Sequence, residues 1–146
     1  MAGSFSNWGE NAVLDSVFGG STEMSTSVAN WYVSLWESTA DTAVSGDALT
    51  GADTGECPGS TYARVAIANT SANWANCTGG VKLLKVACTM TTAAGADWGT
   101  IGYICLGTSG TTGGQILVWS SITGGAKVIN SGDTVIVTTG FSITLT

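Results

Sequence analysis

The side chains that could carry acid–base, nucleophilic or metal chemistry are few, and their spacing restricts what they can do. The 146 residues contain no histidine, so a Ser-His-Asp or Cys-His relay lacks its proton carrier. No Gly-x-Ser-x-Gly turn occurs. The Gly/Thr run at residues 107–114 lacks the lysine with which a phosphate-binding loop reaches its ligand. A carboxylate pair for glycoside hydrolysis is not excluded by residue type. Most of the acids, however, fall in segments that read as loops. Only Asp97 stands beside a core element, where capping a turn suits it better than acting as an acid. The expectation is a protein without enzymatic activity and without a cofactor.

Asp47, Asp53 and Glu56 share one acidic stretch and raise a calcium reading. Their spacing follows neither an EF-hand nor a repeat motif, so a solvated loop is expected and no metal is assigned. Cys57, Cys77, Cys88 and Cys105 include no Cys-x-x-Cys pair. Free thiols are the default for a cytoplasmic product. Cys88 and Cys105 fall inside strand patterns and read as small buried hydrophobes; a hairpin near Gly95 would let them face each other and crosslink. Cys57 and Cys77 fall in loops. Among the six tryptophans, Trp8, Trp31, Trp98 and Trp119 hold positions that suit a core, whereas Trp36 and Trp74 are freer to stack on a sugar or anchor a partner. Trp74 could equally fold back over the core.

Charge sets the partner class. Only 10% of residues are charged, 44% are apolar, and much of the remainder is Ser, Thr, Asn and Gly. Such a neutral, hydroxyl-rich surface does not repel its neighbours and suits dense packing among copies or against a larger surface. The net charge of −6 is concentrated before Arg64, the first basic residue. A nucleic-acid binder would need a basic face. The acidic half either meets a basic surface or is a solvated face. No window is apolar and long enough for a membrane span, and the first residues lack a signal-peptide pattern, so synthesis in a cytoplasm is expected.

The elements that would position these groups follow from periodicity. Residues 1–20 form an N-terminal helical segment: Phe5, Trp8, Val13, Leu14, Val17 and Phe18 fall near one side at helical spacing, Asn7 to Glu10 has a capping-box shape, and Gly19-Gly20 ends the run. Residues 28–36 alternate as a strand with aromatics on both faces, which predicts cover on both sides. Residues 37–60 form a long acidic loop. Further strands are expected at 62–68, 81–90, 98–106, 115–122, 127–129, 134–138 and 141–145, joined by Gly-rich turns. The strand at 98–106 is the expected centre, with the segments before and after it in sequence pairing from either side. Gly99 and Gly102 leave room there for a bulge. Along 115–122, Leu117 and Trp119 share one side, Ile116 and Val118 the other. About eight short strands predict a single mainly β domain over residues 1–146, an antiparallel, jelly-roll-like β-sandwich with one N-terminal helix.

Several phrases carry a resemblance. Gly3-Ser4-Phe5-Ser6-Asn7-Trp8-Gly9-Glu10-Asn11-Ala12-Val13-Leu14-Asp15 leads into Val17-Phe18-Gly19-Gly20. Trp31-Tyr32-Val33-Ser34-Leu35-Trp36, Thr61-Tyr62-Ala63-Arg64-Val65-Ala66, Ala96-Asp97-Trp98-Gly99-Thr100-Ile101, Leu117-Val118-Trp119 and Val128-Ile129-Asn130-Ser131-Gly132-Asp133-Thr134-Val135 follow in order. Together they resemble a family of small tailed-bacteriophage virion proteins labelled as tail-fibre proteins; other phage β proteins of this size decorate the head. The resemblance implies a virion component assembled in the host cytoplasm, with no catalytic residues. The four cysteines and the Glu56-Cys57-Pro58 loop depart from the family's pattern. Sparse charge and the absence of a repetitive shaft favour capsid decoration, that is, a cement protein bound to the major capsid protein or other virion proteins; likeness to that class implies a homo-oligomer with a trimer favoured, stabilising the head through many modest contacts. The alternative is a tail-fibre or receptor-binding module for host glycans. The contact candidates are Trp8, Trp36, Asp47, Asp53, Glu56 and Trp74, carried by the helix, the acidic loop and their surroundings; neither nucleic acid nor membrane is expected as a partner.

Overall fold

A computed structural model describes residues 4, 5, 9, 13, 28–39, 55–111 and 113–144. Its described strands are β1 (Ser4–Phe5), β2 (Asn30–Glu37), β3 (Val65–Ala68), β4 (Val81–Leu83), β5 (Cys88–Thr92), β6 (Gly99–Gly107), β7 (Ile116–Ser121), β8 (Lys127–Ile129), β9 (Thr134–Val137) and β10 (Ser142–Thr144). All of their pairings are antiparallel. The chain is thus mainly β.

Strand β6 is the centre of a six-stranded sheet of order β1-β7-β6-β2-β3, with β8 also on β6. One edge of β6 takes β2; the other takes β7 and then β8 in succession. The following segment pairs as expected, but the preceding one does not. β5 pairs with β9 in a separate ribbon, and β2 takes the place beside β6. The reason lies in β2 itself. Trp31, Val33 and Leu35 are buried on one face, and Trp36 and Ser34 are buried on the other. A strand apolar on both faces is stable only inside a sheet with cover on each side.

Two bulges adjust which face each residue meets. Opposite Trp36 and Glu37, Tyr103 and Ile101 pair while Gly102 is passed over, so β6 carries an extra residue there. A Cβ on Gly102 would lie 2.6 Å from the Ser38 Cα, so the close approach of the two backbones requires glycine. Leu106 and Gly107 pair with Val118 and Ile116, which leaves Leu117 as the extra residue on β7. Strict alternation would place Leu117 with Trp119; the bulge instead turns it into the main core alongside Val118, and Ile116 joins the opposite cluster.

The second layer is one interrupted ribbon. β4 pairs with β10, and β5 with β9. Four residues lie between Leu83 and Cys88, and four between their partners Ser142 and Val137, so the two pairings share one register across the gap. Leu84 bridges part of it, donating its N–H to Phe141 O and accepting from Gly140 N. The expected strand at 81–90 is therefore two strands of one ribbon, broken after Leu84. β4 also folds back on the preceding segment through Thr78-Gly79-Gly80-Val81, where Thr78 and Val81 exchange backbone hydrogen bonds and both glycines have positive φ. That is the geometry of a two-residue hairpin turn of the primed type. It places Trp74 opposite Leu84.

The main core joins the sheet to the ribbon. It contains Trp31, Leu35, Ile67, Leu84, Met90, Trp98, Ile101, Leu106 and Val137. Cys88 lies there too, whereas Cys105 belongs to the smaller cluster on the sheet's other face with Trp36 and Ile116, so the hairpin that would pair these two cysteines does not form. All four cysteines are free; Cys77 is exposed and the other three are buried. The N-terminal helix also needs correction. Phe5 is extended and pairs with Val118 as part of β1, where its ring packs against the main core. Gly9 and Val13 have helical backbone, and the rest of the expected helix lies outside the described residues.

Candidate functional site

The densest polar arrangement among the described residues forms where the end of the acidic stretch meets the sheet. Glu56 makes an isolated bridge with Trp36, and the backbone around it is fixed by Glu37 N to Gly55 O and Cys57 N to Leu35 O bonds. This holds the Glu56 carboxylate over Arg64. The Arg64 Nε donates to Glu56 Oε1 at 2.7 Å and Nη2 to Glu56 Oε2 at 2.7 Å, a bidentate pair whose side chains are 5% and 14% exposed. Nη1 donates to the carbonyls of Ser109 and Gly113 in the β6–β7 loop. Tyr62 completes the cluster: its hydroxyl donates to Glu56 Oε1 at 2.8 Å and accepts from Leu35 N at 2.9 Å.

The electrostatics describe a clamp. Burial pushes the Tyr62 hydroxyl far above its ordinary range, and the neighbouring Glu56 charge adds to this. Hydrogen bonds to Glu56 raise the Arg64 guanidinium against the opposing effect of burial. Tyr62 therefore stays a neutral donor and Arg64 a cation. The two bind Glu56 and the β6–β7 loop to the sheet. Burial likewise raises the Cys57, Cys88 and Cys105 thiols, Cys88 to about 11, so none of these is a ready nucleophile. The described residues contain no group of three or more potential metal ligands.

Other polar residues serve turns. Asp97 accepts from Ser131 N at 2.8 Å and so caps the turn at residues 130–133, whose Asp133 carboxylate accepts from Asn130 N. Thr61 takes Trp98 Nε1 and Ala94 N on its hydroxyl, tying the segment before β3 to the crossing between β5 and β6. Tyr62 meets the Trp98 ring edge-on at 5.6 Å.

The contact candidates are dispersed. Trp36 is 0% exposed and Trp74 is 4% exposed, so neither offers a stacking face to a partner. Trp36 is covered because it packs with Cys105 and Ile116 in the second cluster, with Tyr103 and Trp119 against it. Trp74 is covered because the Gly79-Gly80 turn folds it onto Leu84. Glu56 is spent on Arg64. Trp8, Asp47 and Asp53 lie outside the described residues. Arg64 is the residue that sequence reasoning missed. Its only signal was that the chain's first cation follows a long run of acids, one of which must neutralise it if it is buried.

Two cavities lie between the layers. One of about 430 Å³ opens beside the ribbon gap, with Thr138, Thr139, Lys127 and Ile136 among its walls. The other, about 320 Å³, is walled mainly by apolar side chains including Trp31, Trp74, Leu117 and Ile143.

Residues 4–146 match the family described as Podophage GP4 fiber I protein gp80. The chain belongs to that family. It is accordingly a fibre-type component of a bacteriophage virion, and the family gives no specific support to capsid decoration. No curated protein matches the chain. For this fibre-family protein the buried Arg64–Glu56–Tyr62 cluster fixes the positions of the acidic stretch's end and the β6–β7 loop.

Proposed function

We propose that the protein is a non-enzymatic structural subunit of the phage tail fibre, built as a β-sandwich and assembled from several copies of the chain. The observation that carries this is the family match over residues 4–146. The interior supports it. Several of the chemically capable described side chains are committed to the fold: Arg64 and Glu56 to each other, Asp97 to a turn, Trp36 and Trp74 to the core. Among the described residues no Trp, Tyr or Phe is exposed, so these residues present no open aromatic platform on which sugars stack. This favours a role in building the fibre over gripping a host glycan.

Antibody labelling of intact particles, viewed by electron microscopy, tests the location. Label on the tail supports the reading, and label spread over the head overturns it in favour of decoration. A glycan array separates the two fibre roles. Selective sugar binding by the purified protein would reassign it to receptor recognition.

A further inference from the structure

The 320 Å³ cavity has the size of a small-ligand site and a particular chemistry. Its walls include Trp31, Trp74, Leu106, Leu117 and Ile143, and its few polar contributors include Lys82 and Cys77. Trp31, Leu106 and Leu117 come from the six-stranded sheet, and Ile143 from the ribbon strand β10.

One charged side chain at this cavity lacks a partner among the described residues. Lys82 stands opposite Ile143 in the β4–β10 register and shares a strand face with the buried Leu84. Its stem can therefore lie along apolar walls while its ammonium reaches their edge. That ammonium forms no hydrogen bond or ion pair among the described residues, in contrast to Lys85, which donates to Ser71 O, and Lys127, which donates to Gly124 O. Trp74 also lines the cavity, while its indole Nε1 is buried away from the open space. Trp74 and Lys82 belong to facing arms of the same hairpin, Trp74 being opposite Leu84.

We propose that this cavity binds a fatty-acid carboxylate, with its aliphatic chain against the indole and aliphatic walls and its carboxylate on Lys82. The charge favours this class over a cationic amphiphile. Lys82 is the charged residue in the lining of this apolar cavity, and its sign attracts an anion and repels a cation. The walls disfavour a sugar, which would need several hydrogen-bonding partners where these offer few. The proposal requires only the folded chain and is independent of where the protein sits in the virion.

The test is calorimetric titration of the purified protein with decanoate, decanol and decyltrimethylammonium, repeated on Lys82→Met. Methionine keeps an apolar stem and removes the charge, and circular dichroism checks that the variant folds. Decanoate is expected to bind saturably, and Lys82→Met to weaken it roughly fivefold, the scale of a partly exposed ion pair. Decyltrimethylammonium is expected not to bind. Cys77 supplies a second readout: as the exposed cysteine at the cavity, its reaction with a thiol reagent should slow when decanoate is present and not when the cationic amphiphile is. Decanol binding as tightly as decanoate, with no effect of Lys82→Met, would overturn the carboxylate assignment. No saturable binding of decanoate would overturn the site.

Discussion

Replacing Arg64 by methionine isolates the contribution of the buried clamp. Methionine preserves most of the apolar stem, so the loss reports the guanidinium's bonds more than its packing. Those bonds run to both oxygens of Glu56 and to the carbonyls of Ser109 and Gly113. After the substitution Glu56 retains the Tyr62 hydroxyl but no cation, and the carboxylate is only 14% exposed. Removing one partner of a buried pair costs about 3–5 kcal/mol because the other charge stays desolvated. At about 2–4 °C per kcal/mol for a domain of this size, the melting temperature should fall by roughly 6–20 °C. Urea unfolding followed by tryptophan fluorescence measures the free energy directly. The reasoning also fixes the double variant. Glu56→Gln with Arg64→Met removes both charges, so it should cost clearly less than the two single losses added together. An Arg64→Met cost below about 1 kcal/mol, or strict additivity in the cycle, would refute the claim that the pair is buried and coupled.

Three further outcomes are expected. Gly102→Ala should destabilise by about 2–3 kcal/mol, because its Cβ would press on the Ser38 backbone 2.6 Å away; an unchanged urea midpoint would show that the bulge opens freely. Stability should decline at alkaline pH. Burial raises Cys88 from 9.0 to about 11, so the folded chain holds a proton that the unfolded chain has released. The corresponding stability is fully present below pH 9.0 and is lost as pH rises through about 11. Tyr62, Cys57 and Cys105 are raised in the same direction. Urea midpoints under reducing conditions at successive pH values test this, and a flat profile would contradict it. Finally, a thiol reagent should titrate Cys77 rapidly in the native protein and the other three cysteines only on unfolding; fast reaction of more than one thiol would contradict the burial of Cys57, Cys88 or Cys105.

The strands were legible where alternation and glycine punctuation agree. β2, β6 and β8 fall within a residue or two of their expected bounds, and the two-sided burial of β2 follows from aromatics on both faces. Pairing was less legible because it depends on distant segments. Nothing local to residues 81–92 says that they face residues 134–144 rather than β6, and a turn of small residues between β5 and β6 permits either a hairpin or a crossing between layers. Bulges were hidden for a related reason. Period-two reading assigns Leu117 to the face of Trp119, and only the pairing of Leu106 with Val118 shows the inserted residue. Phe5 illustrates the converse. Its spacing to Trp8 suits a helix, yet an open edge on β7 offers its backbone a strand partner and its ring a place against the core.

The same distinction explains why the chemically suggestive residues became structural ones. Trp74 and Glu56 looked free because each lies outside a strand pattern, and sequence periodicity says nothing about where a loop residue folds back to. In the structure each is captured by a long-range partner, Trp74 by Leu84 through the Gly79-Gly80 turn and Glu56 by Arg64 and Tyr62. Capture of this kind suits a chain with so few charges. With four cations in all, a buried one is informative: Arg64 is used to join the acidic stretch, the sheet and the β6–β7 loop at one point. Lys85 and Lys127 are used to satisfy local carbonyls. That leaves Lys82 as the cation without a partner among the described residues, and it stands at the apolar cavity for which an anionic ligand is proposed.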